Sequence, residues 1–116
     1  VRKMLGGGMR QVGVLAAAGL YALDHNRERL SEDHAKAKAI GQVLQSTSYV
    51  AKVQPIETNI VIFELDSAVD SAYFIDSLQS KGILLSNMGS GKLRMVTHMD
   101  YTDQMHEKLL ETLIGI

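Results

Sequence analysis

Residues 2–11 read Arg-Lys-Met-Leu-Gly-Gly-Gly-Met-Arg-Gln, a glycine-rich stretch between basic residues that leads into a long apolar segment. The three glycines at its centre have no Cβ, so the backbone is free to turn sharply and to approach another group closely. They are Gly6, Gly7 and Gly8. The flanking cations Lys3 and Arg10 make this loop positive, and the N-terminal end of a following helix also suits an anion. The stretch is compatible with an ordinary turn and with a loop that contacts a phosphate or carboxylate.

Two helices are predicted after this loop. Val12–Leu23 is apolar all round, which indicates a helix buried on every side. From Arg27 to about Gln45 the pattern is amphipathic, with the pairs Arg29–Asp33 and Glu32–Lys36 on the solvated side. We expect Asn26 to cap this second helix. Its apolar face carries five residues at helical spacing: Leu30, His34, Ala37, Gly41 and Leu44.

The rest of the chain has the pattern of a small sheet with helices. The predicted elements are strands Tyr49–Val53 and Asn59–Leu65, helix Val69–Lys81 with Gly82 just past its end, strand Ile83–Leu85, a turn at Asn87–Gly91, the hairpin arm Lys92–His98 and a final helix capped by Thr102. The order ααββαββα contains no internal repeat. It predicts an α+β fold in which helices face an antiparallel sheet.

Composition limits the possible functions. The chain has 116 residues, 12 basic and 13 acidic residues and a net charge of −1. This is the size of about one small domain. Its net charge is too small to indicate binding to nucleic acid or to an anionic membrane. Cysteine is absent, which excludes disulfides and thiolate zinc sites and fits a reducing, cytoplasmic location. The four histidines share no metal-ligand spacing, so we expect no metal site.

Arg94 is the most informative residue of the C-terminal half. In the strand Leu93–His98, alternation places Arg94 on one face together with Val96 and His98. A guanidinium in an apolar strand needs solvent or a carboxylate, because burying it unpaired is very costly. Two interpretations remain open at this point. Arg94 forms a structural ion pair within the domain, or it presents a planar fork to the carboxylate of a ligand.

Several motifs together resemble the low-specificity threonine aldolases, pyridoxal-phosphate enzymes of the aspartate aminotransferase fold type (fold type I). They follow one another in family order over nearly the whole chain: Arg2–Gln11, Gly13–Gly19, Leu30–His34, Thr58–Asn59 and Leu93–Asp100. The resemblance implies a C-terminal portion of such an enzyme. Residues 1–26 would be the end of the large cofactor-binding domain, with its glycine-rich loop and buried helix. Residues 27–116 would be the small C-terminal α+β domain.

The resemblance also implies an activity, a cofactor and partners. The parent protein would cleave threonine and related β-hydroxy-α-amino acids into glycine and an aldehyde, using pyridoxal phosphate. The lysine that attaches the cofactor would lie upstream of Val1, so this chain alone would hold no catalytic residue and be inactive. A first residue other than Met also suggests a piece of a longer protein. The expected partners are the missing N-terminal domain, a small amino-acid substrate and further subunits in a homotetramer built as a dimer of dimers, but neither nucleic acid nor membrane.

Site roles follow from the same resemblance. Arg94 would bind the α-carboxylate of the substrate. Lys3 and Arg10 would lie near the cofactor, facing the site of a neighbouring subunit, and Gly6–Gly8 would shape the loop. Two alternatives stay open. One is another fold-type-I enzyme, such as a β-eliminating lyase or class V aminotransferase, which the sequence around the cofactor lysine would distinguish. The other is a non-catalytic ligand-binding α+β domain, although the apolar first helix argues against a free domain.

Overall fold

A computed structural model describes residues 3–116, which form two compact units, one ending at Leu30 and the other spanning Ser31–Ile116. The elements are α1 (Gly13–His25), α2 (Leu30–Ser46), β1 (Val50–Val53), β2 (Ile60–Leu65), α3 (Ser71–Ser80), β3 (Ser86–Gly89), β4 (Lys92–Val96) and α4 (Asp103–Ile114). The α+β class and the order ααββαββα are therefore confirmed. Arg2, the first residue of the glycine-rich motif, lies outside the described residues, as does Val1. The assignment of residues 1–26 to a larger domain stays a prediction.

The unit Ser31–Ile116 is a four-stranded antiparallel sheet in the order β1-β2-β4-β3, with α2, α3 and α4 contributing to a core on one face. This core is built from alternate strand residues and one side of each helix: Ala37, Ile40, Leu44, Val61, Phe63, Phe74, Leu78, Leu93, Met95, Leu109 and Leu113. The other alternate residues of β2 and β4 therefore point to the opposite face, which we call the open face. The central strands β2 and β4 thus pack against the core on one face and contribute to the open face on the other.

The first helix differs from its prediction in two respects. It continues through His25, and Asn26 is its C-cap, with a backbone N–H that donates to the Ala22 carbonyl. Asn26 therefore does not cap α2, which begins at Leu30. Every residue of α1 is exposed in the described chain. The burial on every side that the apolar sequence predicts is therefore not found within residues 3–116. Among residues 3–116, none of the helices combines the length and apolar content needed to cross a bilayer.

Asp33 and Lys36 are a second difference, since the sequence places both on the solvated side of α2. Asp33 is buried, with 3% of its surface exposed. The Lys36 side chain is only 17% exposed, and its Nζ lies 2.7 Å from Asp103 Oδ1. The same nitrogen donates to the Tyr101 carbonyl oxygen at 2.9 Å. The partly buried ammonium therefore has an ion-pair partner and a hydrogen-bond acceptor, which offset the cost of removing its charge from water. It ties α2 to the first residue of α4.

The third strand is also displaced from its predicted position. Gly82 has φ +79°, its N–H donates to the Gln79 carbonyl, and the Ile83 N–H donates to the Leu78 carbonyl. This pair of bonds is the Schellman motif, and it directs the backbone of Ile83 to α3 rather than to the sheet. The predicted strand Ile83–Leu85 is therefore wrong. Strand β3 pairs with β4 from Ser86 onward instead.

The turn between β3 and β4 is a tight one. Gly89, Ser90 and Gly91 have φ values of +80°, +52° and +73°, the first at the end of β3 and the other two in the turn to β4. Positive φ at both residues of a two-residue turn matches the tight turns whose twist fits two antiparallel strands. The turn predicted over Asn87–Gly91 is thus narrower than expected, and its first residues belong to the strand.

Candidate functional site

Arg94 is the third residue of β4, an interior strand of the sheet. It lies directly opposite Ile62 of β2 on one side and Ser86 of β3 on the other. Its strand neighbours Leu93 and Met95 are buried in the core, so alternation places Arg94 on the open face. Ile60 and Val96, a cross-strand pair, share that face and are 39% and 45% exposed. The guanidinium therefore emerges from a largely apolar part of the open face.

The polar atoms of Arg94 are incompletely satisfied. Its Nε is buried and has no hydrogen-bond partner in the described structure. Within residues 3–116, no Asp or Glu oxygen lies within 4.0 Å of its side-chain nitrogens. The intradomain ion pair left open by the sequence is therefore not found in this part of the chain. A half-buried guanidinium with an unpartnered donor is suited to a planar anion that supplies oxygen atoms.

The end of the Arg94 strand is held by two residues from the recognised motifs. Thr97 is buried, and its N–H donates to the Asn59 carbonyl at 3.0 Å. The Asn59 Nδ2 donates back to the Thr97 carbonyl at 2.6 Å. The Thr97 hydroxyl also donates to the Asp33 carbonyl of α2 at 2.7 Å. These bonds fix β4 to the loop before β2 and to the helix beneath it.

Among the residues of the four strands, one carboxylate shares the open face with Arg94. Glu64 lies opposite Lys92, and this pair is two residues along the strands from the Ile62–Arg94 pair. Its Oε1 accepts a hydrogen bond from Gln54 Nε2 at 3.3 Å and lies 4.0 Å from Lys92 Nζ. Local sequence patterns do not predict this arrangement, because it depends on the register between β1, β2 and β4.

The glycine-rich loop belongs to the unit that ends at Leu30, whereas Arg94 belongs to the other unit. Gly6 has φ +85°, a conformation that L side chains rarely adopt, and its N–H donates to the Lys3 carbonyl at 3.1 Å. Lys3 and Arg10 are exposed, as is Gly8, and Gly7 is half-buried. The loop therefore begins with a turn that requires glycine at position 6. The proposed roles of its two cations stay predictions.

A cleft of about 300 Å³ lies beyond the end of β4, among residues of α2, α4 and the loop before β3, and Arg94 does not line it. Tyr101 and Lys108 are among its lining residues, and sequence reasoning did not identify either. Burial raises the pKa of Tyr101 to about 12. The Tyr101 hydroxyl lies 3.1 Å from His106 Nδ1, and burial lowers the pKa of that histidine. The Lys108 ammonium donates to the Lys81 carbonyl at 2.9 Å, which ties α4 to the end of α3.

Comparisons with known proteins agree with the motifs. A family model described as beta-eliminating lyase matches residues 1–68. Low-specificity L-threonine aldolase 1 of Arabidopsis thaliana is 39% identical over 105 residues, which cover 88% of this chain and 29% of the relative. The low specificity L-threonine aldolase of Escherichia coli strain K12 is 38% identical over 99 residues, covering 85% of this chain and 28% of the relative. The chain thus spans under a third of the length of these curated relatives.

A solved structure shows the same fold. It is a mutant of C-DES with glycine covalently linked to the pyridoxal-phosphate cofactor, and it matches with a TM-score of 0.66 and 18% identity. The match covers 90% of this chain and 28% of that one. At this level of identity the likeness shows the fold alone. The chain belongs to the beta-eliminating lyase family, and since the relatives named above are threonine aldolases, the alternative enzymes of this fold type are not favoured.

Proposed function

We propose that this chain is the C-terminal portion of a pyridoxal-phosphate lyase that cleaves threonine and related β-hydroxy-α-amino acids into glycine and an aldehyde. The identities of 39% and 38% to low-specificity L-threonine aldolases, over most of this chain, support the reaction class. The cofactor is supported by the same relatives and by the solved structure that carries it. When bound, pyridoxal phosphate supplies the electron sink for carbon–carbon cleavage. The absence of cysteine supports a cytoplasmic location.

The observation that carries this proposal is the unpartnered, buried Nε of Arg94. No carboxylate of residues 3–116 lies within 4.0 Å of the Arg94 side-chain nitrogens. The α-carboxylate of an amino acid supplies two oxygens in the plane that a guanidinium fork matches. Holding that carboxylate fixes how the substrate is oriented about its Cα, and orientation is a large part of the rate gain in such reactions. In this role Arg94 binds and orients the substrate and moves no proton.

The test is the kinetics of Arg94 variants in the full-length protein. We expect Arg94→Ala to raise KM for threonine and lower kcat/KM at least tenfold, because hydrogen bonds to charged groups contribute about 1.5–3 kcal/mol each. Arg94→Lys should restore activity only in part, since an ammonium does not present a planar fork. Lys52→Ala, which removes an exposed cation from strand β1, is the matched control and should leave KM unchanged. Normal kinetics in Arg94→Ala would refute the assignment.

The proposal extends to assembly and to the glycine-rich loop. Lys3 and Arg10, both exposed, would face the cofactor site of a neighbouring subunit in a dimer of dimers. The exposed apolar surface of α1 supports association, since Leu15, Leu20 and Leu23 are each more than half exposed. Burying such side chains stabilises an assembly by about 25 cal/mol per Å².

Sedimentation of the full-length protein tests the assembly. We expect Leu20→Glu to shift the equilibrium toward smaller species. Lys38→Glu, on the exposed side of α2, is the control and should not shift it. Lys36 is unsuitable as a control, because its side chain is paired with Asp103. An unchanged assembly in Leu20→Glu would exclude α1 as the contact.

A further inference from the structure

Glu64 is the single acidic residue in the four strands of the sheet. It lies on β2 two positions from Ile62, the residue directly opposite Arg94. Both Glu64 and Arg94 alternate onto the open face, so they are diagonal cross-strand neighbours. Diagonal neighbours in an antiparallel pair lie within reach of long side chains. The Glu64 carboxylate is therefore close enough to compete with a substrate carboxylate for the Arg94 guanidinium.

The Glu64 carboxylate instead contacts the side chains of Lys92 and Gln54. Lys92 lies directly opposite it on β4, and its Nζ is 4.0 Å from Oε1. Gln54 Nε2 donates to the same oxygen at 3.3 Å. Lys52 is paired with Glu64 in the register from the β1 side, but in the described structure its ammonium is not within 4.0 Å of an acidic oxygen. Lys92 and Gln54 are therefore the groups that hold this carboxylate.

We infer that Lys92, assisted by Gln54, is a positioning residue that keeps Glu64 away from Arg94. This inference rests on the proposed role of Arg94. A side-chain carboxylate and a substrate carboxylate offer a guanidinium the same oxygen atoms. An internal carboxylate that reached Arg94 would compete with substrate at every turnover, and KM would rise. The register of β1, β2 and β4 places a cation and a hydrogen-bond donor beside Glu64, and among the described residues Arg94 has no acidic partner.

The test is a set of four variants of the full-length protein, assayed for threonine cleavage and for glycine binding by titration of the cofactor absorbance. We expect Lys92→Met to raise KM for threonine and Kd for glycine about three- to fivefold, the effect of one partly exposed ion pair. kcat should stay within twofold, because the competing carboxylate leaves once substrate is saturating. Glu64→Gln alone should not weaken binding. The double variant Lys92→Met/Glu64→Gln should return both constants to wild-type values, and Lys52→Met should leave them unchanged.

The double variant separates this role from a structural one. The Lys92 side chain is 47% exposed, so we expect the fold to tolerate methionine, and thermal unfolding of each variant checks this. Binding that stays weak in Lys92→Met/Glu64→Gln would overturn the inference, since Lys92 would then act on the substrate or on the fold. So would a Lys92→Met variant with normal KM and Kd. Arg94→Ala, assayed beside these four variants, separates the two conclusions: a normal KM in it would overturn the proposed function as well, whereas a raised KM in it together with a normal Lys92→Met overturns only the inference.

Discussion

Replacing Thr97 by valine should lower the free energy of unfolding by about 1 kcal/mol, the usual net contribution of one hydrogen bond. The side chain is 1% exposed, and its hydroxyl donates to the Asp33 carbonyl at 2.7 Å. Valine has nearly the same shape, so the change removes the hydroxyl without leaving a cavity. Asp33 lies inside α2, where its carbonyl also accepts the helical bond from four residues on. The cost therefore stays near this value and does not reach that of an orphaned buried acceptor.

The assay is thermal unfolding followed by circular dichroism. For a domain of this size, 1 kcal/mol corresponds to a fall of about 4–8 °C in Tm. Thr58→Val is the matched control, because the Thr58 hydroxyl is exposed and accepts a long 3.3 Å bond from the Ile60 N–H. We expect little change there. If Thr97→Val melts with wild-type Tm, the hydroxyl contributes nothing to holding β4 on α2, and the reasoning is refuted.

Three further changes test other contacts by unfolding. A methyl group at Gly41 would overlap the far end of the Ile56 side chain, which can shift, and alanine is favoured over glycine inside a helix by about 1 kcal/mol, so Gly41→Ala should change the free energy of unfolding by less than about 1 kcal/mol; a loss of several kcal/mol that Ile56→Ala relieves would show that Ile56 is held rigidly. Gly82→Ala should cost about 1–2 kcal/mol because φ is +79° there; an unchanged Tm would contradict the helix-end geometry. The Lys36 ammonium lowers the pKa of Asp103 below 3.8, so the pairing stabilises the fold above pH 3.8 and is lost as pH falls through the lowered pKa. Asp103→Asn should therefore differ from wild type at pH 7 and converge with it in acid, whereas a constant difference would argue against the pairing.

The sequence predicted most of the fold because most elements carry their own signals. Thr102 caps α4 and accepts from the Met105 N–H, as its position before an apolar stripe suggested. Gly82 follows α3 for the same local reason. The apolar run at Ile83 was misread because periodicity does not show which hydrogen bond ends a helix. The Schellman bonds bring the backbone of that residue to α3, and only the structure shows this.

Tertiary partners account for the remaining differences. Lys36 looks solvated in sequence because Asp103, which it contacts at 2.7 Å, is far along the chain and belongs to another helix. Arg94 was identified from alternation and from its motif. Its unpartnered Nε and the way in which Glu64 is held by Lys92 depend on strand register, and no local pattern encodes that register. Local signals thus located the candidate residue, and long-range pairing defined its surroundings.

The same packing that forms the core also determines where the Arg94 guanidinium lies. Leu93 and Met95 are buried on one side of β4, and Arg94 alternates to the other. A slip of one residue in register would move every side chain of the strand to the opposite face. It would expose Leu93 and place an unpaired guanidinium in the core, which costs several kcal/mol. Variants that loosen β4, such as changes at Thr97, should therefore weaken carboxylate binding without touching the ligand, because the cation is held in place by the burial of its neighbours.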